Sequence, residues 1–212
     1  MSSSSIPTRQ LILGPAIITF AVTLVRLIGE LMNLSPRFFS RAMGGPGAII
    51  GIVWLAPLFG GYFALKLLRL GERPANLGRA FLIMIVSVVM TPAIAMGFAQ
   101  IGIRGNAGVL VLCFTLLVAG FVAKMAWPAL GDVLFAYGFA ARIPVTLVML
   151  VAILANWGTH YDVAPANFPY QQPIVKWLLI GVLPQLTLWI GFTVVVGMAV
   201  GLVTAAVRGK RS

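Results

Sequence analysis

Long charge-free runs alternate with short basic clusters along this chain. Residues 42–65, 80–103, 105–123, 143–161 and 177–207 contain no Asp, Glu, Lys or Arg. A helix needs about 20 residues to cross the hydrocarbon core of a bilayer, and every one of these runs approaches or exceeds that length. One more apolar stretch, 11–33, is interrupted only by Arg26 and Glu30. The pattern predicts an all-α integral membrane protein, a bundle of about six transmembrane helices. The predicted spans are about 11–33, 47–69, 80–101, 106–126, 143–160 and 176–207, within a single domain covering 11–207. Alternating segments of about ten residues, the signature of a membrane β-barrel, do not occur.

Prolines mark expected irregularities. Pro57 and Pro92 should bend the second and third spans. The last charge-free run would measure about 46 Å as one helix at 1.5 Å per residue, longer than the bilayer core. Pro184 lies within it, so a kink or an interfacial first part is expected there. Residues 127–142 carry Trp127, Asp132, Tyr137 and Arg142. They read as a cytoplasmic interfacial helix or short hairpin.

Charge placement sets the orientation. With the N-terminus inside, the cytoplasmic side receives Arg9, Lys66, Arg69, Arg73, Arg79, Lys124, Arg142, Arg208, Lys210 and Arg211. The outside receives only Arg37, Arg41, Arg104 and Lys176. The positive-inside bias predicts both termini cytoplasmic, with residues 1–10 a disordered cytoplasmic N-terminus and 208–212 a basic cytoplasmic tail. The expected location is the plasma (inner) membrane, as a multi-pass protein.

Composition agrees and removes other classes. The chain is 60% hydrophobic and 9% charged, against about 25% charged in soluble domains. The net charge of +11 is spread between apolar runs and not along one solvated face. It therefore points to topology and to anionic lipid headgroups as partners, and away from nucleic acid. Cys113 is the only cysteine and His160 the only histidine, so a disulfide within the chain and a multi-histidine metal site are excluded. No Walker A loop, HExxH, CxxC, GxSxG or dinucleotide-binding glycine pattern is present. No cofactor and no metal are expected.

Two groups of residues carry candidate chemistry. Thr19, Thr23, Arg26, Glu30 and Asn33 follow one another at spacings of 4, 3, 4 and 3, which puts them on one face of the first helix. Such a stripe points at other helices or at a wet cavity. It serves either as a network that holds the bundle or as a substrate or ion site. The second group is Asn156–Trp157–Gly158–Thr159–His160–Tyr161–Asp162. Asn156 and His160 share a face if the fifth helix persists, and Asp162 is placed to orient the imidazole. The plain alternative is a polar helix end with aromatic anchors and a capping Asp.

Orientation draws these groups together near the extracytoplasmic face, with Arg37 and Arg41 beside them. Arg geometry suits a carboxylate or phosphate, and lipid phosphates are the simplest partners for both. The stiff loop 163–175 would either lid this site or merely connect. Gln185, Trp189 and Thr193 lie on one face of the last helix. Gln185 either satisfies a backbone group freed by Pro184 or reaches a ligand. Gly47/Gly51 and Gly197/Gly201 form small-xxx-small pairs that permit close helix contact, dimerisation included.

Three functions compete on these grounds. The first is binding or transport of a small anionic or amphiphilic molecule, with Arg26, Glu30, Arg37, Arg41, Asn156, His160 and Gln185 as ligand-binding residues. The second is a non-catalytic subunit or assembly factor that meets another membrane protein or a second copy of itself. The third is a lipid-modifying enzyme, with His160 as acid or base, Asp162 as its orienter and Arg26 as an electrostatic stabiliser.

Overall fold

The computed structural model describes residues 8–43, 48–166 and 168–209. The serine tract, Gly47 and the tail residues Lys210 and Arg211 lie outside the described residues. All regular structure among the described residues is helical, without a strand. Six helices are long and apolar enough to cross a membrane. They are α1 (Thr8–Leu31), α2 (Leu55–Arg69, which with the turn before it makes the span Ile52–Arg69), α3 (Leu77–Gln100), α4 (Gly105–Lys124), α5 (Pro128–Ala155) and α6 (Pro173–Arg208). A single 3₁₀ turn, Ile52–Trp54, leads into α2.

Helix ends follow from local chemistry. The Asn76 side chain caps α3 by accepting the Arg79 amide at 2.8 Å. Pro128 occupies the first turn of α5, where a missing N–H costs nothing. Four helices end alike. The amides of Leu34, Glu72, Ile103 and Trp157 reach back to the carbonyls of Gly29, Leu67, Phe98 and Ala152. Each closure needs one left-handed residue, supplied by Asn33, Gly71, Gly102 and Asn156. Asn33 is thus an exposed helix terminator and drops out of the polar stripe on α1. Asn156 is likewise exposed past the end of α5, so the helix does not persist and the shared face with His160 does not form.

The largest departure from expectation is α5. Residues 127–142 are no separate interfacial piece: from Pro128 they form the first half of one 28-residue helix. Its buried side chains step by three and four from Leu130 through Leu134, Ala141 and Val145 to Met149 and Ala152. Packing of that unbroken stripe outweighs the two charges in the segment. Asp132 faces out and pairs with Lys124 at 2.5 Å. Arg142 turns inward and is 5% exposed.

Prolines act unevenly. Pro57 lies in the first turn of α2, so it breaks no helical hydrogen bond there. α3 runs uninterrupted through Pro92. At Pro184 the ladder does change. A π turn, Trp177–Val182, precedes it, and the Leu183 amide bonds the Leu178 carbonyl. The regular helix resumes as Leu188–Gly209. Pro184 has no N–H to offer Ile180, and the wider turn accommodates that loss.

Close contacts give the helix directions. A methyl group on Gly60 would collide with Gly197, and Gly201 lies against Ala64, so α2 and α6 run parallel. A methyl group on Gly191 would collide with the Leu116 carbonyl, and Gly120 faces Gly191 and Val194, so α4 and α6 are parallel too. Gly138 meets Ile190 while Gly197 and Gly201 meet Leu134 and Leu130, making α5 antiparallel to α6. The Gly197/Gly201 pair is therefore used inside the chain. Alternation of direction leaves the loops 70–76 and 125–127 at one end, with Thr8 and Gly209. The segments 32–43, 48–54, 101–104, 156–166 and 168–172 gather at the other.

The main core lies toward the first of these ends. Phe59 and Phe63 of α2 set their ring edges against Tyr137 of α5, each at 5.4 Å. Trp127, Leu130, Leu134, Ile190, Met198 and Leu202 complete it. A smaller cluster of Leu27, Val145, Met149, Ala152 and Tyr161 lies toward the other end. The outer faces carry exposed Leu58, Ile85, Phe114, Leu147 and Val203. Apolar surface on this scale matches a lipid solvent.

Candidate functional site

Glu30 is the anchor of the loop-rich end. Four of the predicted stripe residues, Thr19, Thr23, Arg26 and Glu30, point inward from α1. Glu30 is completely buried and its carboxylate accepts three donors. Arg26 Nε donates at 2.9 Å, the His160 amide at 2.9 Å, and His160 Nδ1 lies 2.5 Å away. Arg26 also donates to the Ser40 carbonyl at 3.0 Å. The Arg41 guanidinium donates to the backbone carbonyl of Glu30. Glu30 thereby ties α1 to the 156–162 turn through its carboxylate and to the 32–43 segment through its backbone carbonyl. Removing a charge from such a group strands its partners in a dry setting.

The 156–162 turn is organised by Asp162. Its carboxylate accepts the amides of Gly158 and Thr159 at 2.8 and 2.7 Å, and the Thr159 hydroxyl at 2.7 Å. Those bonds occupy Asp162 with its own turn, so Glu30 and not Asp162 orients His160. Tyr161 reaches under α1, its hydroxyl donating to the Thr23 carbonyl at 3.0 Å. Burial holds the His160 imidazole below its ordinary pKa; the Glu30 contact pulls it up and Arg26 pushes it further down. Burial likewise raises the Tyr161 phenol above its usual value.

Arg142 is the residue that sequence reasoning misplaced. It sits about 21 Å along α5 from Pro128 at 1.5 Å per residue, near the middle of the helix. One guanidinium N–H donates to Gln185 Oε1 at 3.1 Å. The group also lies 5.0 Å from the Trp189 ring centroid. Among the described residues no carboxylate pairs with it. A charge at the centre of a spanning helix costs about 3 kcal/mol on insertion scales. One charged hydrogen bond and a cation–π contact offset part of that. The buried stripe of α5 runs through this part of the helix, and that packing places the side chain indoors.

These elements surround one cavity of about 930 Å³, at the upper end of the range for small-molecule sites, about 300–1,000 Å³. Its polar wall is Thr23, Arg26, Arg142, His160 and Gln185, with Asn106 at the start of α4. The remaining wall is mostly apolar, including Trp54, Val109, Val145, Met149 and Leu179. Pro165, Phe168, Pro169 and Tyr170 of the aromatic loop line it as well. Gln185 turns to Arg142 and to the Met149 sulfur at 3.7 Å, and not to a backbone group near Pro184.

The sequence-derived site residues thus divide. Arg26, His160 and Gln185 meet at the cavity wall. Glu30 stands behind them and holds Arg26 and His160 in place. Arg41 is half-buried against Glu30, while Arg37 and Asn156 are exposed and away from the cavity. Asp162 is buried in its turn. Arg142, Trp189 and Tyr161 join the site through tertiary packing. The chain matches no family model, no curated protein and no solved structure.

Proposed function

We propose that this is a six-crossing membrane protein that binds a small anionic amphiphile in the cavity between α1, α4, α5 and α6. The observation that carries this reading is Arg142, a buried guanidinium without a carboxylate partner among the described residues, set in a largely apolar wall. Apolar walls with a few convergent polar groups are how small-molecule sites are made. A fixed cation within such walls favours an acid carried on an apolar body. Passage of that molecule across or along the membrane is the transport form of the same reading.

The charge distribution supports the orientation. With Arg142 removed from the loop count, Arg9, Lys66, Arg69, Arg73, Arg79, Lys124, Arg208, Lys210 and Arg211 still outnumber Arg37, Arg41, Arg104 and Lys176. The first set belongs on the cytoplasmic side of a plasma membrane, with both termini, and the cavity then lies toward the outer face. Reporter fusions at the two termini test this, and a signal from the far side at either end refutes it.

Binding is tested on protein purified in mild detergent, with bound amphiphiles extracted and identified by mass spectrometry. Wild-type protein should retain an acidic amphiphile that Arg142→Gln does not. Equal recovery of the same lipids from both proteins is the contrary result. The Glu30–His160 pair sustains a secondary reading as a lipid-modifying enzyme. Glu30 would fix the imidazole through Nδ1, leaving Nε2, which has no hydrogen bond among the described residues, as the acid–base atom.

A further inference from the structure

The charged groups around the cavity define the head group it accepts. Arg26 is matched by Glu30 at 2.9 Å. Behind the wall, Arg41 rests on the Glu30 carbonyl and Asp162 is bound into its own turn. These two offset each other in formal charge. Arg37, Arg104 and Lys176 do not line the cavity. With His160 neutral, three guanidinium groups (Arg26, Arg41 and Arg142) stand against two carboxylates (Glu30 and Asp162). The surplus is one positive charge, and Arg142 bears it.

Burying net charge is costly, and a complex of zero net charge avoids the cost. A single negative charge on the ligand meets that condition. A neutral head leaves Arg142 as it was, and a doubly charged head replaces a buried excess of one sign by an excess of the other. Gln185 adds polarity beside the guanidinium. Its amide nitrogen faces the Met149 sulfur, a weak acceptor, and is available to a stronger one.

The opposite wall is apolar and open. Trp54, Val109 and Leu110 line the cavity and yet are 65%, 52% and 42% exposed. α2 and α4 both pack on α6 and not closely on each other. This wall therefore borders the apolar outer surface, which in the six-crossing reading faces lipid chains.

We propose that the cavity holds a single-headed, monoanionic amphiphile, with its carboxylate or phosphodiester head on Arg142 and Gln185 and its apolar chain passing out between Trp54 and Val109. This deepens the binding reading above and rests on it. A long-chain carboxylate and a single-chain phosphodiester lipid share the required chemistry.

The test uses the full chain in phosphatidylcholine nanodiscs at about pH 8, where a phosphate monoester is doubly charged because its second pKa is about 6. Competitors against a fluorescent long-chain carboxylate are dodecanoate, lysophosphatidylglycerol, dodecyl phosphate, dodecanol and acetate. Dodecanoate or lysophosphatidylglycerol should bind at least about tenfold tighter than dodecanol and dodecyl phosphate, the size expected for one charged hydrogen bond. Which of the two binds tighter identifies the head. Arg142→Gln should abolish the preference over dodecanol. Arg142→Lys should keep part of it, and it guards against mere misfolding. A preference for dodecyl phosphate, an unchanged preference in Arg142→Gln, or equal competition by acetate would each overturn the proposal. If dodecanol matches dodecanoate, the cavity remains an amphiphile site and only the charge selection fails. If no amphiphile competes or binds, the underlying binding reading fails with it.

Discussion

Toward the end with loops 70–76 and 125–127, helices approach backbone to backbone. Gly60 lies on Gly197, and Gly191 on the Leu116 carbonyl. Toward the other end, side chains bridge the helices, with Glu30 joining α1 to two loops and Arg142 joining α5 to α6. Small residues let helices close and leave no room between them. Long polar side chains hold them apart and leave a cavity. The same chain thus builds a packed half and a half opened around a cavity. The polar groups that keep the second half open also stop it from being an inert hole.

The comparison can be broken most severely at Glu30. Glu30→Ala leaves Arg26 buried without its carboxylate, and loss of one member of a buried pair costs about 3–5 kcal/mol. Thermal unfolding in detergent should show that loss. Arg26→Met/Glu30→Met should recover much of it, because no charge is stranded. A double variant as unstable as the single one would show that the clasp acts through its loop bonds alone.

A smaller effect sharpens the contrast between the halves. Gly191→Ala forces a methyl group onto the backbone of α4, which cannot move aside cheaply. Overpacking of this kind costs about 1–3 kcal/mol. Leu110→Ala, on the cavity wall and 42% exposed, should cost less than about 1 kcal/mol. Equal losses in the two variants would mean that the halves are packed alike.

The smallest expected effect is a pH dependence. The folded His160 binds its proton less readily than the unfolded chain does, because burial disfavours the charged ring. Its contribution is therefore intact above the ordinary imidazole pKa of about 6.5. That contribution declines as pH falls from there through the lower folded value. The midpoint of thermal unfolding should drop on acidification across this window. His160→Asn should flatten the slope, and an equal slope in the variant would assign the effect to another group.

Much of the candidate site was legible from spacing. Thr19, Thr23, Arg26 and Glu30 repeat at helical intervals, so their common inward face follows from α-helix geometry alone. The end of that helix was less legible. Asn33 continues the spacing but occupies the left-handed position that stops the helix, and spacing does not reveal which Asn will terminate. Arg142 was missed for a similar reason. A charge beside Pro144, after a stretch with Asp132, resembles an interfacial segment. Only the packing of α5 on α6 makes the centre of a long helix the lower-energy place for it. Proximity in sequence pairs Asp162 with His160. In the structure, backbone amides three and four residues closer to α5 claim its carboxylate first.

Hydropathy and charge spacing alone established that the chain is helical, with six helices of spanning length, because apolar runs of that length satisfy their own backbone only as helices. They also named Arg26, His160 and Gln185, since polar groups in such runs must turn inward. Which of those groups meet, which one holds the others, and that an unmatched guanidinium from a fifth helix completes the cavity were settled by packing. A linear pattern carries periodicity along one helix. It does not carry the distances between helices, and those distances decide whether a buried charge finds an opposite charge or does not.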